Sequence, residues 1–236
     1  MNLEPALFAR RFEVSLAEPQ ASDNDLIRFL QWCLLNQDFI AAVAVNHTQL
    51  DLASTFLRDS SIRLAADIAF PLGGLPVELK IFQAKEATRL GAQQLNIVMP
   101  LEYLRANDFE NAQDEVRAVV EAARRSGSTC INLIPNIHFL NIEQSQASVQ
   151  IAHDLSVGLR TNTGYDHAVC SADLEGLRAI GGANLMITAC GGVTTAEQAI
   201  DLIHAGANFI AVSELLSILA DFQALLRFIS QVRTEE

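Results

Sequence analysis

Apolar residues follow two alternating rhythms along this chain. Short, nearly unbroken runs rich in Val, Ile and Ala recur at RFEVSL (11–16), FIAAVAVNH (39–47), SIRLAADIAFP (61–71) and QQLNIVMP (93–100). They continue at TCINLIPN (129–136), SVGLRTNTG (156–164), NLMITACGG (184–192) and NFIAVSE (208–214). Between them lie longer stretches with apolar residues at helical spacing: 23–37, 50–59, 77–90, 108–126, 143–154, 172–180, 195–205 and a final run at 215–232. Ser22 or Asp23 is a fitting N-cap for the first of these, and Gly127 a fitting stop for the one that ends at 126.

A continuously apolar strand is buried on both faces, which is how strands read in a parallel sheet covered by helices. Eight strand-helix units close most naturally into a (β/α)8 barrel, with a doubly wound open sheet as the alternative. No Pro/Gly/Ser-rich linker interrupts the pattern, so residues 1–236 are expected to form a single α/β domain. In a barrel the C-terminal ends of the strands gather on one face, and the chemistry is expected there.

Composition narrows the function classes. The formal net charge of -12 argues against nucleic acid or an anionic membrane surface as partner. No apolar run is long enough to span a bilayer, and the opening MNLEPALFARRFEVS lacks the apolar core of a secretory signal. Cys33, Cys130, Cys170 and Cys190 show no paired spacing, so reduced thiols in a cytoplasmic protein are expected. Only Lys80 and Lys85 are lysines, and both fall in one helix pattern, VELKIFQAKEATRL.

Several motifs resemble the deoxyribose-phosphate aldolase family. AFPLG (69–73) is similar to the family's FPLG after strand three, and ELKIFQAKEATRLGA (78–92) to the helix that follows. TNTG (161–164) stands where the family has TSTG, CGGVTTAEQA (190–199) aligns with its Gly-Gly turn after strand seven, and FEVSLAEP (12–19) with its opening strand. The matches run in order over nearly the whole chain. The resemblance implies a barrel and an aldolase ancestry.

It also implies three catalytic positions, and this chain departs from the pattern at each. Where the family carries a Schiff-base lysine on strand six, this sequence has Arg160. Where a second lysine on strand seven tunes the first, it has Thr188, and where an aspartate on strand four handles protons, it has Asn96. A guanidinium stays protonated and forms no imine, threonine supplies no cation, and an amide is not a general base. Asn132 and Asn136 replace a lysine and a glutamate of strand five, and Glu13 replaces the aspartate of strand one. The expectation is a pseudoenzyme that binds, regulates or assembles. The alternative is an aldolase- or lyase-type enzyme of altered mechanism acting on a small phosphorylated or carboxylated substrate.

The candidate ligand residues are Arg160, Asn162, Gly191, Gly192 and Ser213, with Glu13, Asn132 and Asn136 lining the pocket. Gly191 and Gly192 keep half of the family's phosphate nest, while Glu214 replaces a small hydroxyl residue there. Arg160 has three readings: an internal ion pair with Glu13 or Glu214, a fork for a ligand's carboxylate or phosphate, or a solvated side chain. His47, His138 and His167 are weaker candidates for a zinc site, and Cys190 with His138 or His167 for a nucleophile and base. No cofactor or resident metal is implied. The last helix and LIRFLQWCLL (26–35) are apolar beyond one stripe, a surplus that suits a homodimer or another protein partner if core packing does not absorb it.

Overall fold

A computed structural model describes residues 5–165 and 167–234, with side chains of the final helix described as far as 224. The chain alternates strand and helix from its start: β1 (Phe12–Leu16), α1 (Asp23–Leu35), β2 (Ile40–Val45), α2 (Leu50–Leu57), β3 (Arg63–Ile68) and α3 (Val77–Arg89). Next come β4 (Gln94–Val98), α4 (Leu101–Arg105), α5 (Phe109–Arg125), β5 (Cys130–Ile134) and α6 (Ile142–Asp154). The last third holds β6 (Gly158–Arg160), α7 (Ser171–Gly181), β7 (Ile187–Cys190), α8 (Ala196–His204), β8 (Phe209–Val212) and α9 (Leu215–Thr234).

The eight strands pair in sequence order and β8 returns to β1, closing a parallel (β/α)8 barrel. The open-sheet alternative is thereby excluded. Ser22 caps α1 reciprocally with Asp25, Asn141 caps α6 with Gln144, and Thr195 caps α8 with Gln198. Helix α4 lies outside the expected pattern: its five residues follow Pro100, too short a stretch to show a period.

The apolar core lies between the strands and the helices. Leu26, Leu30 and Cys33 of α1 and Val116, Val119 and Val120 of α5 pack inward against it. The surplus expected at 26–35 is thus largely absorbed, with Leu35 left exposed. Most of the surplus expected of α9 falls beyond 224, outside the described side chains. One charge is sealed in this shell: Lys80 of α3 is 1% exposed, with Nζ 2.6 Å from Glu115 Oε1 of α5.

The lumen of the barrel is different. Register partners in a parallel sheet share a face, and one set runs Glu13–Ala42–Arg63, Ala65–Gln94–Cys130, Asn96–Asn132–Gly158 and Arg160–Thr188–Phe209. Glu13 of β1 meets Gln94 of β4, strands that are not neighbours, so this set points inward. Barrel interiors are usually filled by bulky branched residues. Here one side holds the small Ala42, Ala44 and Ala65, a cluster separate from the main core, and the other side is amide and charge.

Candidate functional site

A hydrogen-bonded net of side chains spans the lumen. Gln94 Nε2 donates to Glu13 Oε1 at 3.0 Å and lies 3.2 Å from Asn96 Oδ1. Asn132 Nδ2 donates to the same Asn96 Oδ1 at 3.1 Å, and Asn96 Nδ2 donates to Asp67 Oδ1 at 2.8 Å. Asn96 is fully buried, its Oδ1 accepting twice and its Nδ2 donating to Asp67, so it works as the hub of the net. Thr188, 1% exposed, sits beside Arg160 on the neighbouring strand.

Arg160 closes the net at the end of β6. It is 7% exposed, which excludes the solvated reading. Its Nη1 lies 4.0 Å from both Glu13 Oε2 and Asp67 Oδ1, while Nη2 donates to Cys190 Sγ at 3.3 Å. Glu214, exposed beyond β8, is not a partner. Neither carboxylate is within hydrogen-bond range, and both Arg160 Nε and Glu13 Oε2 are buried without a partner. Burial opposes the charge of Arg160; the Asp67 and Glu13 carboxylates and the hydrogen bond to Cys190 more than offset it, so the guanidinium is held above its ordinary range. Burial also pushes the Cys190 thiol up, and Arg160 only partly offsets this. Cys190 is therefore a neutral thiol that accepts a hydrogen bond, which removes it as an activated nucleophile.

Above Arg160 a cavity of about 360 Å³ opens at the C-terminal ends of the strands. Arg160, Asp67, Glu18, Cys190, Gly191, Gly192 and Ser213 line it, together with the rings of Phe70 and Tyr165. Gly191 and Gly192 have left-handed backbones, with φ of 125° and 67°. A Cβ on Gly191 would overlap the His167 carbonyl oxygen, and one on Gly192 would press on Ala168. Close approach of the 167–169 segment thus accounts for both glycines, with or without an anion.

The other candidate residues lie elsewhere. Asn162 is buried, accepting from His138 Nδ1 at 2.9 Å and donating to the Cys190 carbonyl at 3.4 Å, so it positions the loop and does not face the cavity. Asn136, left-handed with φ 53°, accepts from the Thr163 amide and serves the same loop. Glu13 and Asn132 open onto a second cavity of about 500 Å³ at the opposite end of the barrel. They sit earlier on their strands than the residues at the mouth, and alternation carries only every second side chain inward. Reading every strand polar residue as part of one face merged two ends of the lumen.

The histidines divide as well. His138 and His167 stack with centroids 3.7 Å apart, while His47 Nε2 donates to the Asp67 carbonyl at 2.8 Å. Among the described residues, no group of three or more His, Cys, Asp and Glu is placed to hold a metal ion. The four cysteines are free. No helix among the described residues is long and apolar enough to cross a membrane.

No family model matches the chain. Among curated proteins, the deoxyribose-phosphate aldolase of Thermococcus kodakarensis is 30% identical over 209 residues, covering 87% of this chain and 92% of that protein. That of a Thermoanaerobacter species is 28% identical over 220 residues, 92% of this chain and 97% of the relative. Among solved structures, an aldolase named QR15 superposes with a TM-score of 0.83 at 24% identity, covering 93% of this chain and 96% of its own. The deoxyribose phosphate aldolase of Aeropyrum pernix, described as a unique tetramer, superposes with a TM-score of 0.85 at 21% identity, covering 94% and 93%. Both structures share the barrel fold.

Proposed function

Because this chain belongs to the deoxyribose-phosphate aldolase family, we propose that it is a member in which imine chemistry has been given up and the barrel kept as a binding body. The observation that carries this reading is the end of β6. The resemblance places a Schiff-base lysine there, and this chain has Arg160, fixed among Glu13, Asp67 and Cys190. A guanidinium does not form the imine on which the family reaction depends. Lys80 and Lys85 lie on α3, outside the barrel wall, and Lys80 is already committed to Glu115.

The ligand proposed for the mouth is small and carries a single negative charge. Arg160 lines that cavity with most of its donors uncommitted, and the Gly191–Gly192 turn and Ser213 add polar groups. Asp67 and Glu18 line it too, and they disfavour a doubly charged phosphate over a carboxylate. Leu79 and Phe82, three apart on α3, are 49% and 65% exposed and give a homodimer or another protein partner an apolar face.

The whole-length relatives carry an aldolase name, which favours a second reading: an enzyme of altered mechanism. In it Arg160 holds the substrate and Asp67, the partly open carboxylate in the cavity, moves the proton.

One assay separates the two. The protein at high concentration is incubated with deoxyribose 5-phosphate, aldehyde release is followed, and borohydride is added to trap any imine. The expected result is no release above blank and no covalent adduct. Release that disappears in Arg160→Met would establish the second reading, and a trapped adduct on either lysine would overturn both. Thermal shifts with ribonate and with deoxyribose 5-phosphate then test the ligand class, the singly charged ribonate being expected to stabilise more.

A further inference from the structure

We propose that the N-terminal end of the barrel holds a second ligand site, shaped for a small amino acid, with Glu13 receiving the ammonium group and Arg63 the carboxylate. The cavity there measures about 500 Å³ and is lined by residues that begin strands or precede them, among them Arg63, Cys130, Gly158 and Phe209. It therefore lies at the end of the lumen remote from the mouth.

Glu13 is the first argument. Its residue is 5% exposed and it lines this cavity, yet Oε2 has no hydrogen-bond partner. An orphaned carboxylate oxygen on a residue that lines a cavity calls for a donor. Glu13 and Asp67 share the guanidinium of Arg160, each at 4.0 Å and beyond hydrogen-bond range, so Arg160 does not satisfy Oε2. A protonated amine would supply the missing donor.

Arg63 is the second argument. It stands in the same cavity wall, its guanidinium 5.4 Å above the Phe209 ring, which fixes it across the barrel floor. Its Nε donates to Gln94 Oε1 at 3.0 Å, and its Nη donors have no hydrogen-bond partner among the described residues. A simple amine leaves those donors unmet, and a simple anion is repelled by Glu13. A molecule carrying both charges satisfies both ends. Gly158 admits Asn132 to the wall: a Cβ at 158 would collide with Asn132 Oδ1. Asn184 and Thr129 line the same cavity and supply further polar contacts.

Cys130 reports occupancy because it lines this cavity, while Cys170 is exposed elsewhere and serves as reference. Burial pushes the Cys130 thiol up, so alkylation by iodoacetamide is run at mildly alkaline pH on the full chain and read at the Cys130 peptide. The probes are glycine and the common L-amino acids, each alone, with acetate and methylammonium as half-ligands. At ten times its dissociation constant, one or more amino acids should slow Cys130 alkylation about tenfold and leave Cys170 unchanged, with neither half-ligand protecting. Glu13→Gln should abolish that protection. Should Glu13→Gln fail to fold, Asn184→Trp at the exposed rim fills the cavity and should remove the amino-acid effect. Failure of every amino acid to slow Cys130, equal protection by acetate, or protection that survives both substitutions overturns the proposal.

Discussion

Replacing Arg160 by methionine keeps an unbranched apolar stem and removes the charged head. Glu13 and Asp67, each 4.0 Å from Nη1, are left as two carboxylates in one lumen with no cation between them. Breaking a buried ion pair by removing one partner destabilises by about 3–5 kcal/mol. The distances here are long and the Asp67 side chain is 18% exposed, so the low end applies, about 3 kcal/mol. For a chain of this size that is a fall in melting temperature of about 6–12 °C.

The pH dependence carries the sharper test. Removing the cation makes ionised Glu13 and Asp67 costlier in the folded variant than in its unfolded chain. The folded variant then binds protons more readily than the unfolded one, and stability is regained as pH falls toward the carboxylate range. Calorimetric melting of both proteins at pH 8 and pH 5 should show a deficit that narrows at pH 5. An unchanged melting temperature at both values would refute the ion-pair reasoning, and a deficit independent of pH would assign the loss to packing instead.

Lys80→Met strands Glu115 in the seam between α3 and α5 and should lower stability by about 3 kcal/mol in urea titration, with Glu115→Leu added to it recovering most of the loss. Gly191→Ala and Gly127→Ala both force a side chain onto a left-handed backbone, but only the Gly191 methyl meets a neighbour. Melting should show about 1 kcal/mol of loss at Gly127 and about 3 kcal/mol at Gly191, and equal losses would remove the clash as a cause. If α3 carries a homodimer, the wild type sediments as a dimer and Leu79→Glu with Phe82→Glu as a monomer; a monomeric wild type rules that interface out.

The architecture was legible in the sequence because each strand is a nearly unbroken apolar run and the longer helices carry their own period, three of them with a reciprocal side-chain cap. Helix α4 escaped, since five residues after a proline hold no repeat. Arg160 lies buried at the end of β6, and of its two expected carboxylate partners Glu13 lies 4.0 Å away while Glu214 stays outside. Asp67 was missed as a partner because nothing in local spacing says that β3 faces β6 across the lumen. The cavity at the N-terminal end was missed for a related reason. Depth inside a barrel depends on register between strands, and Glu13 can be levelled against residues of other strands only once its pairing with Ala42 and Ala211 is known. Gly158 was a clue to close packing there: a strand that begins without a side chain leaves room for a neighbour's, here Asn132.

The separation between an apolar shell and a polar, alanine-lined lumen bears on how such a protein changes over generations. The apolar burial resides mostly in the shell, and the lumen adds its polar net to it. Exchanges of amide for carboxylate inside the lumen alter what the barrel does while the helices stay seated on their strands. A lineage built this way is able to discard one chemistry before it has acquired another, and to persist in between as a folded, inheritable scaffold.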